Sequence, residues 1–116
     1  MKYLCLVYLD DAALDSVADS DCMAFSETLR GSGKTLAAEA LQPTFTATTV
    51  RVREGKVSVV DGPFAETKEQ LAGFYLVDAA DLDEALRIAA AIPPASVGSI
   101  EVRPVRELGL PRLRRG

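Results

Sequence analysis

Apolar residues occupy every position from Tyr3 to Leu9. Such a run predicts a central strand buried on both faces. An acidic segment, Asp10 to Asp21, follows it. Ala18, Cys22, Phe25 and Leu29 then recur at steps of 4, 3 and 4, which places them on one face of a helix. Asp15 or Ser16 is positioned to cap its start, where acidic side chains also suit the helix dipole. Arg30 falls in the last turn, and Gly31 is placed to take the left-handed conformation after it.

Thr35 to Leu41 reads as a short strand that Pro43 ends. Thr46 to Arg53 is rich in Thr and Val and reads as another. Glu54-Gly55 then separates two alternating runs, which signals a two-residue hairpin. With those two residues as the loop, Arg53 faces Lys56, Val52 faces Val57, Arg51 faces Ser58 and Val50 faces Val59. The four valines share one face, so pattern and turn agree on one register. Asp61-Gly62-Pro63-Phe64 is a turn by composition. Leu71 to Val77 is a further apolar strand. Asp81 with Glu84 three residues on starts a second helix, and its apolar stripe is Leu82, Ala85, Leu86, Ala89 and Ile92. Pro93-Pro94 stops it, and Ser99 to Val105 is the last strand.

The order is strand, helix, strands with an inserted hairpin, strand, helix, strand. This is an α+β, ferredoxin-like βαββαβ plan with an extra β-hairpin. It makes a single domain of residues 1–105, followed by a basic tail, 106–116. Two helices cover only one face of such a sheet. The other face needs a cover, and a second copy packed sheet against sheet is the simplest one. A homodimer through the sheet faces is therefore expected.

Composition narrows the chemistry. The chain has 116 residues, 48% hydrophobic and 26% charged, with two cysteines and no histidine. Without histidine there is no Ser-His-Asp triad, no Cys-His dyad and no imidazole ligand for zinc. Cys5 and Cys22 make no metal or CxxC spacing, and they read as reduced, buried thiols of a cytoplasmic protein. The amino-terminal apolar run is too short for a signal segment or a membrane span. Net charge is −4, unevenly spread: residues 1–102 hold 8 Lys/Arg against 16 Asp/Glu, and the remainder holds 5 arginines against Glu107. The acidic body argues against nucleic acid as a partner, and the arginine tail reads as a solvated terminus.

Gly31-Ser-Gly-Lys-Thr35 resembles the end of a phosphate loop. Thr28 stands where that loop needs its first glycine, and the segment follows a helix instead of a strand. It reads as a helix cap and turn. The segment Asp61 to Lys68 carries more. Gly62 frees the backbone, Pro63 fixes it, and Phe64 is positioned to anchor the turn in the core. Asp61 then has two open readings. It is a carboxylate that caps the turn, or it and Glu66 are acid–base candidates with Lys68 as electrostatic partner. The second reading requires burial. The polar strand with Arg51 offers a fork suited to a carboxylate ligand. Arg51, Asp61, Phe64, Lys68 and Tyr75 are thus the candidate ligand contacts, although strand tyrosines more commonly pack in cores. Nothing in the spacing implies a cofactor or a metal cluster.

The run Asp61-Gly-Pro-Phe-Ala-Glu-Thr-Lys-Glu-Gln-Leu-Ala-Gly-Phe-Tyr75 strongly resembles the signature of the DGPF, or YCII-related, proteins. Met1-Lys-Tyr-Leu4, Leu41-Gln-Pro43, Thr46 to Arg51 and Ile100 to Pro104 fit the same pattern. The resemblance implies a dimeric α+β barrel built on a ferredoxin-like protomer. It also implies a family of largely unknown function, with some members linked to bacterial extracytoplasmic-function sigma factors. Two functions follow as expectations: a small-molecule-binding homodimer with a pocket near the turn, with enzyme activity left open, or a non-catalytic interaction or regulatory module associated with sigma-factor control. YCII-like relatives are associated with a His–Asp pair. This chain has no histidine for it, and only Asp61 stands where the aspartate could map.

Overall fold

The computed structural model describes residues 1–115. The apolar run at the amino terminus becomes β1 (Lys2–Asp10), the axis of a four-stranded antiparallel sheet. On one side β1 pairs with β6 (Ser99–Pro104), and on the other with β5 (Glu69–Asp78), which in turn pairs with β2 (Thr35–Ala40). The order β2-β5-β1-β6 is the ferredoxin-like arrangement. Two helices, α1 (Asp19–Gly31) and α2 (Leu82–Ala91), complete the core. The sheet stays open within one chain. Two strands, β3 (Thr48–Arg53) and β4 (Lys56–Asp61), lie outside it as a separate hairpin sheet.

One expectation about β1 is corrected here. Tyr3, Cys5, Val7 and Leu9 are buried, while Leu4, Leu6 and Tyr8 are only half-buried. The strand alternates because helices cover one face only. Across β5, Tyr75 faces Cys5 and Val77 faces Tyr3, so the buried face continues there. Ala85, Ala89 and Ile92 from α2 and Leu29 from α1 close the core over it. Phe74 and Leu76, opposite Leu6 and Leu4, continue the bare face.

The helices also depart from the pattern in detail. A 3-10 turn over Asp11–Ser16 absorbs Asp15 and Ser16, where the Ser16 hydroxyl donates to the Ala13 carbonyl at 2.6 Å. Ala18 therefore occupies the cap position of α1, with no side-chain cap bond. Leu29 is its one buried residue; Cys22 and Phe25 are half-buried and Ala18 is exposed. The left-handed residue after α1 is Gly33 (φ 75°), not Gly31, which still belongs to the helix. The turn that resembles a phosphate loop is thus a helix C-cap, with the Gly33 N–H donating to the Arg30 carbonyl at 3.0 Å. On α2, Asp81 caps as expected, accepting from the Glu84 N–H at 2.9 Å. Its buried stripe is Ala85, Ala89 and Ile92 with Ile88 half-buried beside them, since Leu82 and Leu86 turn to solvent.

Strand limits shift by a few residues. Thr44–Thr46 winds a 3-10 turn in which the Thr46 N–H and hydroxyl both donate to the Pro43 carbonyl, so β3 starts only at Thr48. No helix is long and apolar enough to cross a membrane. The last residue of the tail 106–116 lies outside the described residues; those up to 115 are exposed.

Candidate functional site

The hairpin has the expected register: Arg53 pairs with Lys56, Val52 with Val57, Arg51 with Ser58 and Val50 with Val59. Glu54 (φ 52°) and Gly55 (φ 76°) both take positive φ, as a type I′ turn demands. Pairing continues through Thr49 with Val60 and Thr48 with Asp61 at the base. Period-two alternation puts Thr48 and Asp61 on the face of the four valines, and Arg51 and Arg53 on the other.

Past Asp61 the chain turns sharply at Gly62, whose φ of 111° suits only glycine. Two bonds fasten that bend to the start of β3. The Gly62 N–H donates to the Ala47 carbonyl at 2.7 Å, and Thr49 Oγ1 donates to the Gly62 carbonyl at 2.8 Å. The next segment is held by Gln70, whose Nε2 donates to the carbonyls of Ala65 and Thr67, both at 2.9 Å. Thr67 Oγ1 adds a bond of 2.6 Å to the Glu69 carbonyl. The turn is therefore stiff, as its composition requires, and Thr49 and Gln70 are working residues that composition alone passes over. The one signal for Gln70 is its place directly after the Glu66 to Glu69 polar run.

Phe64 does not anchor this turn in the core. It is 74% exposed. Its ring lies instead under the Arg51 guanidinium, 5.1 Å from centroid to Cζ. The arm projects away from the core, so the body offers Phe64 no apolar pocket, and a cation–π contact takes its place. The stack brings Arg51 and Phe64 together. No carboxylate lies within ion-pair distance of Arg51 among the described residues. Asp61, Glu66 and Lys68 are exposed nearby in sequence, and among the described residues none makes a side-chain hydrogen bond or ion pair. The capping role for Asp61 is thus not realised.

Tyr75 does not join this group. It is buried in the core, edge to face with Phe25 at 5.6 Å and 84°, and its hydroxyl shares a 3.4 Å hydrogen bond with Ser26. The larger described cavity, about 320 Å³, also lies elsewhere. It is an open depression between the amino terminus, Lys34 and Asp78, and both cations there are already paired, Lys34 with Glu84 at 2.9 Å and the terminal amine with Asp78 at 3.2 Å. Burial pushes the Cys5 thiol above its ordinary pKa, and burial with the charges of Asp19 and Asp21 does the same for Cys22. Both are unsuited to act as thiolates near neutral pH. Among the described residues, no group of three or more Cys, Asp and Glu gathers as a metal site would.

Comparison with known proteins fits this geometry. The family model of the YCII-related domain matches residues 1–109, which include every strand, both helices and the hairpin. The chain belongs to the YCII-related family. An uncharacterized protein of Rhizobium meliloti (strain 1021) is 43% identical over 114 residues, covering 90% of this chain and 92% of its own length. This YCII-related chain has no histidine at all, so no imidazole stands at its glycine-proline turn.

Proposed function

We propose that this YCII-related chain is a homodimer that binds a small carboxylate or phosphate ligand at the turn around Asp61. One observation carries the reading: Arg51 is stacked on Phe64 and carries no carboxylate partner. Stacking uses the flat face of the guanidinium and leaves its N–H fork free at the edge. A fork held in one orientation and not neutralised is suited to bidentate capture of an anion. Asp61 lies on the opposite face of the hairpin, so in this reading the ligand reaches round the strand edge for its carboxylate to accept a hydroxyl or N–H, and Lys68 adds positive charge. Should the bound ligand react, Asp61 and Glu66 are the acid–base candidates, on condition that the ligand or a second copy buries them, since both are exposed in one chain. The bare sheet face, with Leu4, Leu6, Tyr8, Phe74 and Leu76, is the surface that a second copy covers.

A thermal-shift panel of mono- and dicarboxylates and inorganic phosphate tests this reading. At least one anion should raise the melting temperature of the wild type and leave Arg51→Met unmoved. Asp61→Asn should keep the fold and weaken binding about tenfold or more, as for a lost hydrogen bond involving a charge. No stabilising anion in the panel would overturn the proposal. One observation favours a non-catalytic interaction module as second reading. Neither described cavity includes any residue from Asp61 to Lys68. Capture of a protein partner such as a sigma factor, with no anion bound, is the result that would select it.

A further inference from the structure

The face of the β3–β4 hairpin opposite the valines gathers cations that nothing balances. Period-two alternation and the observed register put Arg51, Arg53, Lys56 and Ser58 on that face. Arg53 stands directly across from Lys56, and Arg51 across from Ser58. All four residues are exposed. Asp61 lies on the valine face and Glu54 in the turn, so neither sits among them. Among the described residues no carboxylate comes within ion-pair distance of any of the three cations. Like charges facing each other across two strands destabilise the pair. An anion relieves that repulsion, and a cluster of three cations suits a multiply charged one.

Phe64 adds a second requirement. Arg51 rests on its ring, so the ring lies at the cationic face. The guanidinium covers one side of the ring, yet the residue is still 74% exposed. The other side is open to a flat ligand ring. An aromatic platform beside a basic track is how proteins hold an unpaired base. A lone phosphate or a small carboxylate would use Arg51 and leave Phe64, Arg53 and Lys56 idle.

The face also limits the length of the ligand. Arg51 and Arg53 are two residues apart on one strand, about 7 Å. Lys56 lies about 5 Å across from Arg53. Those separations match the short phosphate chain of a nucleoside di- or triphosphate. Outside residues 48–61, the rest of residues 1–102 holds 5 Lys/Arg against 14 Asp/Glu. A longer polyanion would run from the hairpin onto a body of its own sign.

We propose that the arginine face of the hairpin binds a nucleoside polyphosphate, with its base on the open side of Phe64 and its phosphates on Arg51, Arg53 and Lys56. The inference rests on the anion reading above and names the ligand class. Arg51 takes the phosphate nearest the base, and Arg53 with Lys56 takes the outer ones. The turn at Gly31 to Thr35 has no part in it, because Lys34 there is already held by Glu84.

Calorimetric titration at low salt, without divalent cations, tests it with ATP, tripolyphosphate and inorganic phosphate as probes. The wild type should bind ATP about tenfold or more tightly than tripolyphosphate, and tripolyphosphate more tightly than phosphate. Phe64→Ala should erase the preference for ATP over tripolyphosphate. Arg53→Gln/Lys56→Gln should lose about tenfold or more in ATP affinity and leave inorganic phosphate unmoved. All three side chains are exposed, so circular dichroism of both variants should match the wild type. The comparison of probes on the wild type is decisive even if a variant does not fold. Phosphate or a carboxylate bound, with ATP no tighter, overturns the nucleotide and leaves the anion reading standing. No binding of ATP, tripolyphosphate, phosphate or a carboxylate overturns both. A thymidine oligonucleotide bound more tightly than ATP also overturns the inference and makes single-stranded nucleic acid the occupant.

Discussion

The core sheet and the β3–β4 arm are built from the same material and meet opposite fates. In β1 and β5, Cys5, Val7 and Val77 alternate with outward residues and are almost wholly buried. In β3 and β4, Val50, Val52, Val57 and Val59 alternate just as regularly and are more than half exposed. Both regions have a register fixed by alternation and pairing. The difference is that α1 and α2 return over the first sheet, whereas neither helix packs over the hairpin. Alternation thus specifies that a face is made to be covered, and leaves open by what. The arm also concentrates the distinctive chemistry, because Arg51, Asp61 and Phe64 lie on it or at its root.

Five substitutions break or sharpen this contrast. The largest effect belongs to the core. Ile92→Ala, at a side chain only 1% exposed, should cost about 2–5 kcal/mol through lost burial and a residual cavity. Val57→Ala in dilute solution should stay within about 0.5 kcal/mol, as surface changes do. Urea unfolding of both proteins measures the gap, and equal losses would erase the distinction between the regions. Gly98→Ala comes next, at about 1–3 kcal/mol. A Cβ there would run into the Tyr8 carbonyl and the Leu9 side chain, where β1 passes close to the start of β6. A protein as stable as wild type would show that this approach relaxes freely.

Gly55→Ala should act on the arm alone. Its φ of 76° strains any residue with a Cβ, at a cost of about 1 kcal/mol. Exchange of the arm amides should quicken while the dilute chain's urea midpoint stays put. A shifted midpoint would mean that arm and core unfold as one unit. The smallest effect is electrostatic and lies away from the arm. Glu84 accepts from Lys34 Nζ at 2.9 Å and from the Ala80 N–H at 3.0 Å, and these bonds hold its carboxyl below the ordinary value of 4.5. A lowered native pKa contributes stability above the ordinary value and loses it as pH falls through the native one. Glu84→Gln should therefore flatten the acid side of the stability profile and leave the slope near pH 7 unchanged. An unaltered acid limb would show that the pair contributes nothing.

Much of the fold was legible because short-range rules act on it. Periodicity located each strand and helix, and Glu54-Gly55 set a register that the pairing reproduces. Asp81 named its own cap. The misses share one cause. Burial depends on what returns over a face, and local pattern does not encode that. Leu82 and Leu86 fit the helical stripe and still face solvent. Phe64 looks like an anchor, yet it stands in the open because the turn projects from the body. Gly31 and Gly33 are equivalent glycines until the helix settles where it ends. The candidate site was legible as a list of residue types, and Arg51 with Phe64 was on that list. Their stack was not, since it joins positions separated by the whole hairpin. Tyr75 was drawn into the list by its nearness in sequence, and the antiparallel sheet carries it into the core instead.

By itself the sequence determined the elements, the hairpin register, the family and the missing imidazole chemistry. All of these follow from neighbours along the chain and from which side chains exist. Only the tertiary structure decided that the hairpin stands apart from the sheet, that Phe64 stays in solvent, and that Arg51 rests on it without a counter-ion. Those outcomes depend on which segments return through space to cover a surface. Local conformational preference has no term for such a return, and burial is decided by it.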